Sequence, residues 1–472
     1  MWTLIIASFY LIVKRIFELN KDRSLGLLEC GFFIAIYTAN FLNGYIKFNF
    51  SFVAASVAIV AVFYITTMQT EDDKFTKNYM IWIMGSLILC CWIRYEVGWI
   101  TLLLSAEITV FLLIKYRKKY MRYFLIMWGV VGVLCLFAHG VEKIAYSGTE
   151  EKARLENYDD RRVVHDYYGY PEYDEAKEIY DKYGIDEAGA KLFKNGFYTL
   201  ADTDTMYSLI RELAEFDENK NKISSISAFK EKALDTMISL FEYWTKSEYA
   251  FNNLIILSLT ILLSILYELK NKRAESLYLL ITLLTDLAMW FVLIWRGRIN
   301  AHAVIPVQSI FFIYMLGMVL NYIKEYGIVY TKKQMIVSKY VLYLMIMYVV
   351  GYHGFIDWNF AKQQAAEAEF AEKVLDYANQ SQGKYYYTST YNTSRKITIY
   401  NTTNSSQMLY NVNDLKNPPI KKLLEENYYY MVAENEDYMV DWIEQMFSGG
   451  DKGEIVDTIK EGGYCVEVYK FK

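Results

Sequence analysis

The chain has 472 residues, of which 54% are hydrophobic and 17% aromatic, and it carries a formal net charge of -5. That balance excludes a protein held to nucleic acid by basic charge. The five cysteines build no disulfide or metal framework, because Cys30, Cys90, Cys91 and Cys135 lie in apolar stretches and Cys465 stands alone.

Apolar segments long enough to approach the roughly 20 residues that a membrane span requires recur along the chain. In order, helices are expected near 2 to 14, 25 to 45, 50 to 68, 78 to 93, 97 to 114, 122 to 145, 252 to 269, 276 to 295, 303 to 323 and 336 to 357. The fold class expected is therefore an α-helical polytopic membrane protein of about ten transmembrane helices, because only helices and closed barrels satisfy their backbone in lipid. Mean hydropathy is nevertheless only +0.09, so a large part of the chain is wet. The division expected is 1–146 for six spans, 147–250 for a polar helical loop domain, 251–358 for four further spans, and 359–472 for a small α/β carboxy-terminal domain.

Lys and Arg set the orientation. Lys14, Arg15, Lys21 and Arg23 gather in one connection, Lys115, Arg117, Lys118, Lys119 and Arg122 in another, and Lys270, Lys272, Arg273, Lys324, Lys332 and Lys333 in two more. The bias of cytoplasmic loops towards basic residues makes these the cytoplasmic side and places both polar domains outside the cell membrane. The same path puts Met1 outside, before an apolar stretch of only about a dozen residues. The expectation is a chain that lacks its first helix and the loop that followed it.

Within the polar loop, Pro171 opens a segment in which Tyr173, Ala176, Ile179, Tyr180 and Tyr183 recur at helical spacing, and Gly184 closes it. Asp202 or Thr203 is placed to cap a helix whose Met206, Leu209, Ile210 and Leu213 share a face. The stretch from Ile223 to Trp244 reads as an amphipathic helix, either lying on the membrane surface or packed under the loop domain. Towards the carboxy terminus the period shortens. Strands are expected over Lys384 to Ser389, Lys396 to Asn401, Tyr428 to Val432 and Tyr464 to Tyr469, and helices over Tyr438 to Met446 and Lys452 to Lys460.

Ionisable residues at membrane depth or at the rim mark function, because each is costly there unless it is paired or faces water. Arg94, Tyr95 and Glu96 form one tight outer turn, and Arg296 and Arg298 another in WRGRINAHAVIP. Guanidinium groups that converge from two such turns suit a phosphate or diphosphate, against a plainer role with lipid headgroups or local carboxylates. His302 and Gln308 follow the Arg pair and are expected either at the same substrate or in ordinary solvent contacts. Glu29, Glu107 and Asp286 lie too deep for a headgroup and are expected to make interhelical contacts. His139, His165 and His353 have no ligand spacing, so no metal site is expected from them. The sequence has no phosphate-cradling glycine loop and no nucleotide fingerprint, which argues against an ATP-driven transporter or a nucleotide-sugar enzyme.

Taken together, IMGSLILCCWIRYEVGW, NYDDRRVVHDYYGYPEYDEAKEIYDKYGI and WRGRINAHAVIP, followed by a polar α/β tail, resemble the large polytopic membrane proteins of low-GC Gram-positive bacteria that are similar to GT-C glycosyltransferases. The resemblance implies an enzyme that transfers a sugar from a polyprenyl-phosphate donor to a cell-envelope glycan, as in polysaccharide biosynthesis. No cofactor is evident in the sequence, and the resemblance allows a divalent metal. Arg94, Arg296, Arg298 and His302 would meet the lipid phosphate. The family carries its catalytic carboxylate on the loop after the first helix, which this sequence lacks, so Glu96 is the nominated carboxylate here. An O-antigen-polymerase-like enzyme and a non-catalytic flippase or scaffold for lipid-linked glycans are the alternatives.

Overall fold

The computed structural model describes residues 2–20, 23–46, 50–68, 77–116, 118–194, 202–221, 226–246, 250–326, 332–380, 386–388, 409–411, 429–433, 454–461 and 463–470. They form two compact units, one of Met1–Ser147 with Ile223–Phe355 and the other of Gly148–Lys222 with Ile356–Lys472.

The first unit is a helical bundle. Its helices are α1 (Trp2–Leu19), α2 (Arg23–Ile46), α3 (Phe50–Thr66), α4 (Lys77–Ile93), α5 (Tyr95–Tyr116) and α6 (Lys118–Ala145). After the second unit's α7 to α10 come α11 (Ile226–Lys246), α12 (Ala250–Leu269), α13 (Arg273–Trp295), α14 (Ala301–Glu325) and the start of α15 (Lys332–Gln380). Five helices among the described residues, α5, α6, α12, α13 and α14, are long and apolar enough to cross a membrane. The apolar stretches within α2, α3 and α4 are shorter. The chain is a multi-pass membrane protein.

Helix α3 is the hub, packed against α1, α4, α5 and α14. Every residue from Ser51 to Thr66 is buried, and Ala54, Ala55, Ala58 and Ala61 let neighbouring backbones come close. Gly317 of α14 lies so near that a methyl group there would meet Thr66 Cγ2 at 2.8 Å. Burial grades outward from this hub: 78% of the most apolar stretch of α14 is buried, against 17% of that of α6. The exposed Leu125, Val133, Leu136 and Phe137 of α6 are a surface for acyl chains rather than water.

Contacts fix the two ends of the bundle. At one end Arg15 of α1 meets Thr67 just beyond α3, Asn321 of α14 donates to the Thr66 carbonyl at 2.7 Å, and Lys115 of α5 pairs with Glu325 of α14. At the other end the α4–α5 turn meets the α13–α14 turn. Helices α3, α4 and α5 therefore alternate in direction, as do α13 and α14.

Arg15 departs from its expected place in a basic loop. Helix α1 runs to Leu19 rather than to residue 14, and Arg15 is 1% exposed. Its Nε donates to Thr67 Oγ1 at 3.1 Å, its Nη2 to the Thr67 carbonyl at 2.8 Å and its Nη1 to Tyr79 Oη at 2.9 Å. The guanidinium also stacks over the Tyr79 ring, 4.6 Å from its centroid.

The second unit joins a helical insert to a sheet. In the insert, α7 (Thr149–Arg162) continues into a π-helical turn over Val163–Tyr167, and α8 (Lys177–Lys182), α9 (Glu187–Lys194) and α10 (Thr203–Lys220) follow. Asp202 caps α10 by accepting from the Thr205 amide at 3.0 Å, and Met206, Leu209, Ile210 and Leu213 are fully buried, as their spacing predicts. Gly184, at φ 70°, closes α8, and Tyr180 Oη donates to the Pro171 carbonyl at 2.9 Å.

The sheet has strands β1 (Tyr386–Thr388), β2 (Leu409–Asn411), β3 (Tyr429–Ala433), β4 (Glu454–Glu461) and β5 (Tyr464–Lys470) in the order β2-β1-β3-β5-β4. The β1 pairings with β2 and β3 are parallel, and β5 is antiparallel to β3 and β4. Three of the expected strands are present, and β2 was not anticipated. The stretch 452–460, expected as a helix, is mostly strand β4. Ile455, Val456 and Ile459 mimic helical spacing because a bulge between Ile455 and Asp457 breaks the alternation of the strand. The expected strand at Lys396 to Asn401 and helix at Tyr438 to Met446 lie outside the described residues. Helix α15 contributes Phe370 to this unit, stacked on Tyr464 with ring centroids 5.6 Å apart.

Candidate functional site

The site begins with two helix turns at one end of the bundle. In the first, α4 passes into α5 with its backbone still paired: the Arg94 amide donates to the Cys90 carbonyl and the Gly98 amide to the Arg94 carbonyl, both at 3.0 Å. The turn is tight enough to demand glycine at 98, where a Cβ would lie 2.8 Å from Cys91 Cα. Glu96 occupies the first turn of α5, where a carboxylate complements the unpaired amides of the helix N-terminus.

In the second turn, α13 ends in a left-handed Gly297 at φ 66°. The Gly297 amide donates to the Ile294 carbonyl at 2.9 Å and the Arg298 amide to the Leu293 carbonyl at 2.8 Å, the paired pattern that closes a helix on glycine. Two residues on, Asn300 Oδ1 accepts from the Ala303 amide at 3.1 Å and starts α14. The backbone of Arg298 is thus held between a C-cap and an N-cap.

The two turns meet at Glu96. Its Oε2 lies 2.9 Å from Arg94 Nε and its Oε1 lies 3.7 Å from Arg298 Nη1. The three side chains are 34%, 25% and 14% exposed for Arg94, Glu96 and Arg298, so the cluster is half sheltered but open to a ligand. Its charge is +1 by residue type, two guanidinium groups on one carboxylate. A phosphate suits such a cluster, since guanidinium donors match its oxygens two at a time.

The remaining candidates divide. Arg296 is the C-cap of α13 and is exposed, on the same turn as Arg298 but outside the ion pairs of Glu96. His302 is exposed in the first turn of α14. Gln308, expected at a substrate or in solvent, is instead fully buried: it donates to Asn253 Oδ1 at 2.7 Å and accepts from Asn252 Nδ2 at 3.3 Å. Two asparagines opening α12 were the missed partners, and only the packing of α12 on α14 shows the connection. Glu107 accepts from Thr282 and Thr285 of α13, each at 2.8 Å, and Glu29 accepts from Asn20 at 2.6 Å, so both carry polar contacts between or beside helices. Asp286 is fully buried on α13. His139 and His165 are exposed, and the side chain of His353 lies outside the described ones.

At the opposite end of the bundle an unanticipated charge network ties three helices. Lys115 Nζ lies 3.1 Å from Glu275 Oε1 and 3.7 Å from Glu325 Oε2, and Lys272 Nζ lies 3.5 Å from Glu325 Oε1. The signal was present in the sequence as acids bordering the basic loops.

Neither a protein-family model nor a curated protein matches the chain. A solved structure, ArnT from Cupriavidus metallidurans in the apo state, overlays with a TM-score of 0.38 at 11% identity, over 99% of this chain and 83% of that one. An overlap of that degree decides neither fold nor activity.

The divalent metal that the GT-C resemblance allows does not fit these residues. No group of three or more His, Cys, Asp or Glu side chains converges among the described residues, and the carboxylate at the site is already engaged by two cations.

Proposed function

We propose that this protein is a GT-C-like membrane glycosyltransferase that takes a sugar from a polyprenyl-phosphate donor and passes it to a cell-envelope glycan. The observation that carries this reading is the meeting of Arg94 and Arg298, from two separate helix turns, on the single carboxylate of Glu96. The site lies at an end of the bundle, where a lipid-linked phosphate would reside with its polyprenyl chain among the exposed apolar helices. Arg94 and Arg298 hold the phosphate, and Arg296 and His302, exposed beside them, supply further donors. Positive charge placed before the reaction stabilises the phosphate as the glycosidic bond to it breaks. Glu96 is the carboxylate nearest the departing phosphate. It keeps the two guanidinium groups in place before the donor arrives and is the group available to accept the acceptor hydroxyl's proton.

In this reading about ten helices span the membrane, and both polar regions lie on its outer face, on the side opposite the basic loops. The full chain in lipid nanodiscs tests it, by binding of polyprenyl phosphate and by transfer from a polyprenyl-phosphate sugar to an envelope glycan. Arg94→Ala and Arg298→Ala are expected to weaken polyprenyl-phosphate binding at least about tenfold each, the loss of a charge-assisted contact of about 1.5–3 kcal/mol, and Arg296→Ala less. Binding that is lost in the double variant without any transfer in the wild type would identify a non-catalytic carrier of lipid-linked glycans. Undiminished binding by a folded double variant would remove the phosphate site.

A further inference from the structure

Helix α11 (Ile226–Lys246) has three distinct sides. At 3.6 residues per turn, Phe229, Lys232, Thr236 and Leu240 share an arc of roughly 80°, and this is the packed side. Thr236 is buried and the Lys232 ammonium sits 5.0 Å from the Trp295 centroid, while Phe229, near the N-terminal end, lies against Trp295 with ring centroids 5.5 Å apart but keeps 51% of its surface exposed. Leu234, Met237, Ile238 and Phe241 share another arc of about 100°, which at the N-terminal end of the helix also takes in the exposed Lys230, a side chain long enough to carry its charge out to the headgroups. These four large apolar side chains are 55–66% exposed. Glu231, Asp235 and Glu242 fall within about 40° of one another beside that apolar arc, and all three are exposed.

The helix lies across the bundle rather than along it. Phe229 and Lys232 touch Trp295, the last residue of α13, whereas Trp244 belongs to one packed cluster with Trp290 and Val304. From 229 to 244, α11 advances about 22 Å, while from 295 to 290 α13 descends only about 7.5 Å. The ends of α11 thus sit at nearly the same depth, beside the turn that holds Arg298. Asn253 of α12 secures the far end by donating to the Trp244 carbonyl at 3.2 Å.

We infer that α11 is an in-plane membrane helix, with Leu234, Met237, Ile238 and Phe241 in the acyl layer and Glu231, Asp235 and Glu242 in water. The occupant of the exposed face is lipid because α11 packs on α12 and α13, membrane-length apolar helices whose Leu254, Leu284 and Val292 are likewise exposed. An acidic row beside an apolar one is the arrangement of a helix lying at a boundary. A protein partner would have to cover the apolar arc alone while leaving the spans next to it bare. The consequence is a fixed depth for the bundle. The bilayer surface runs along α11, and the guanidinium of Arg298 comes to headgroup level. That last step rests on the phosphate-site reading, whereas the depth of α11 does not.

The test places a nitroxide, through a ketone-bearing amino acid that leaves the native cysteines untouched, at 234, 237 or 241 and separately at 231, 235 or 242. The full chain is held in phosphatidylcholine nanodiscs, with no polyprenyl lipid present. Oxygen partitions into lipid and a nickel chelate stays in water. The ratio of oxygen to nickel collision rates is expected to be at least about tenfold higher on the apolar row than on the acidic one. Equal nickel access on both rows would put the helix in water. Exclusion of both reagents from the apolar row would mean that protein covers it. Either result overturns the inference and leaves phosphate binding by Arg94 and Arg298 to be judged on its own assay.

Discussion

Glu96 stands between Arg94 and Arg298, 2.9 Å from the first and 3.7 Å from the second, and so joins two helix turns that are about 200 residues apart in the chain. A carboxylate in that position does two opposing things. It holds the guanidinium groups together in the empty site, and it competes with an incoming phosphate for the same donors.

The opposition gives a prediction for Glu96→Gln. The amide keeps the shape and loses the charge, which leaves the two guanidinium groups with no counter-charge from position 96. Polyprenyl phosphate is expected to bind several-fold more tightly, while transfer falls at least about a hundredfold if the carboxylate takes the acceptor proton, the range of general-base catalysis. Binding is read by titration in nanodiscs and transfer by product formation. Weaker binding together with lost transfer would instead make Glu96 a purely structural tether.

Gly98 controls whether the first turn exists. Any Cβ there would press on the Cys91 backbone at 2.8 Å, an atom that cannot step aside without moving α4. Gly98→Ala is expected to destabilise the protein by about 1–3 kcal/mol and to weaken phosphate binding as Arg94 shifts from Arg298. Gly85→Ala, in the middle of α4, is the matched control: nothing lies within 4 Å of its Cβ, so the same change should be neutral or slightly stabilising. Thermal unfolding in detergent, run on both variants, separates the two outcomes.

Parts of this arrangement are legible in the sequence, and the others fail for identifiable reasons. The Arg94 and Arg298 turns are visible because charge at the rim of an apolar segment is rare and local. Their meeting on Glu96 is a tertiary fact, and nothing in either motif specifies which carboxylate is shared. Asp202 as a cap and the buried row of Met206, Leu209, Ile210 and Leu213 are read from spacing alone, because an insert helix has one wet side and one dry side. That contrast vanishes in α3, apolar all round, whose central position becomes apparent only from what surrounds it. Arg15 was misplaced because the basic bias of cytoplasmic loops counts charges and is blind to whether a side chain turns inward. Strand β4 was misread because its bulge shifts Val456 out of alternation, and its pairing with β5 overrides the local pattern.

Arg15 yields a stability prediction of its own. Its guanidinium is buried and donates to two groups of Thr67 and to Tyr79, so truncation leaves the Thr67 carbonyl without that donor inside the bundle. Arg15→Ala is expected to cost about 1–3 kcal/mol, the penalty for leaving a buried polar group without its hydrogen-bond partner. Lys14, its neighbour, has a side chain 44% exposed and pairs only loosely with Glu18 at 3.9 Å, so Lys14→Ala should change stability by less than about 1 kcal/mol. Comparable losses from the two substitutions would show that Arg15 is not seated as described.

The helical insert carries a pH dependence. Asp217 of α10 is 3% exposed, and burial pushes its carboxyl up to about 6, with Glu175 adding to the rise and Lys220 opposing it. An acid whose folded pKa is raised binds its proton more tightly in the folded state. The insert therefore keeps its full stability below the ordinary carboxyl range near 3.8 and loses part of it as pH rises through about 6. Asp217→Asn mimics the protonated form. It is expected to stabilise α10 by about 1–3 kcal/mol at pH 7.5, since each tenfold gain in proton affinity on folding is worth about 1.4 kcal/mol, and to change nothing at pH 3.5. Hydrogen exchange of the α10 amides in the full chain reads the local opening directly. An equal gain at both pH values would assign the effect to packing of the amide, and a loss at pH 7.5 would mean that the ionised carboxylate holds α10 in place.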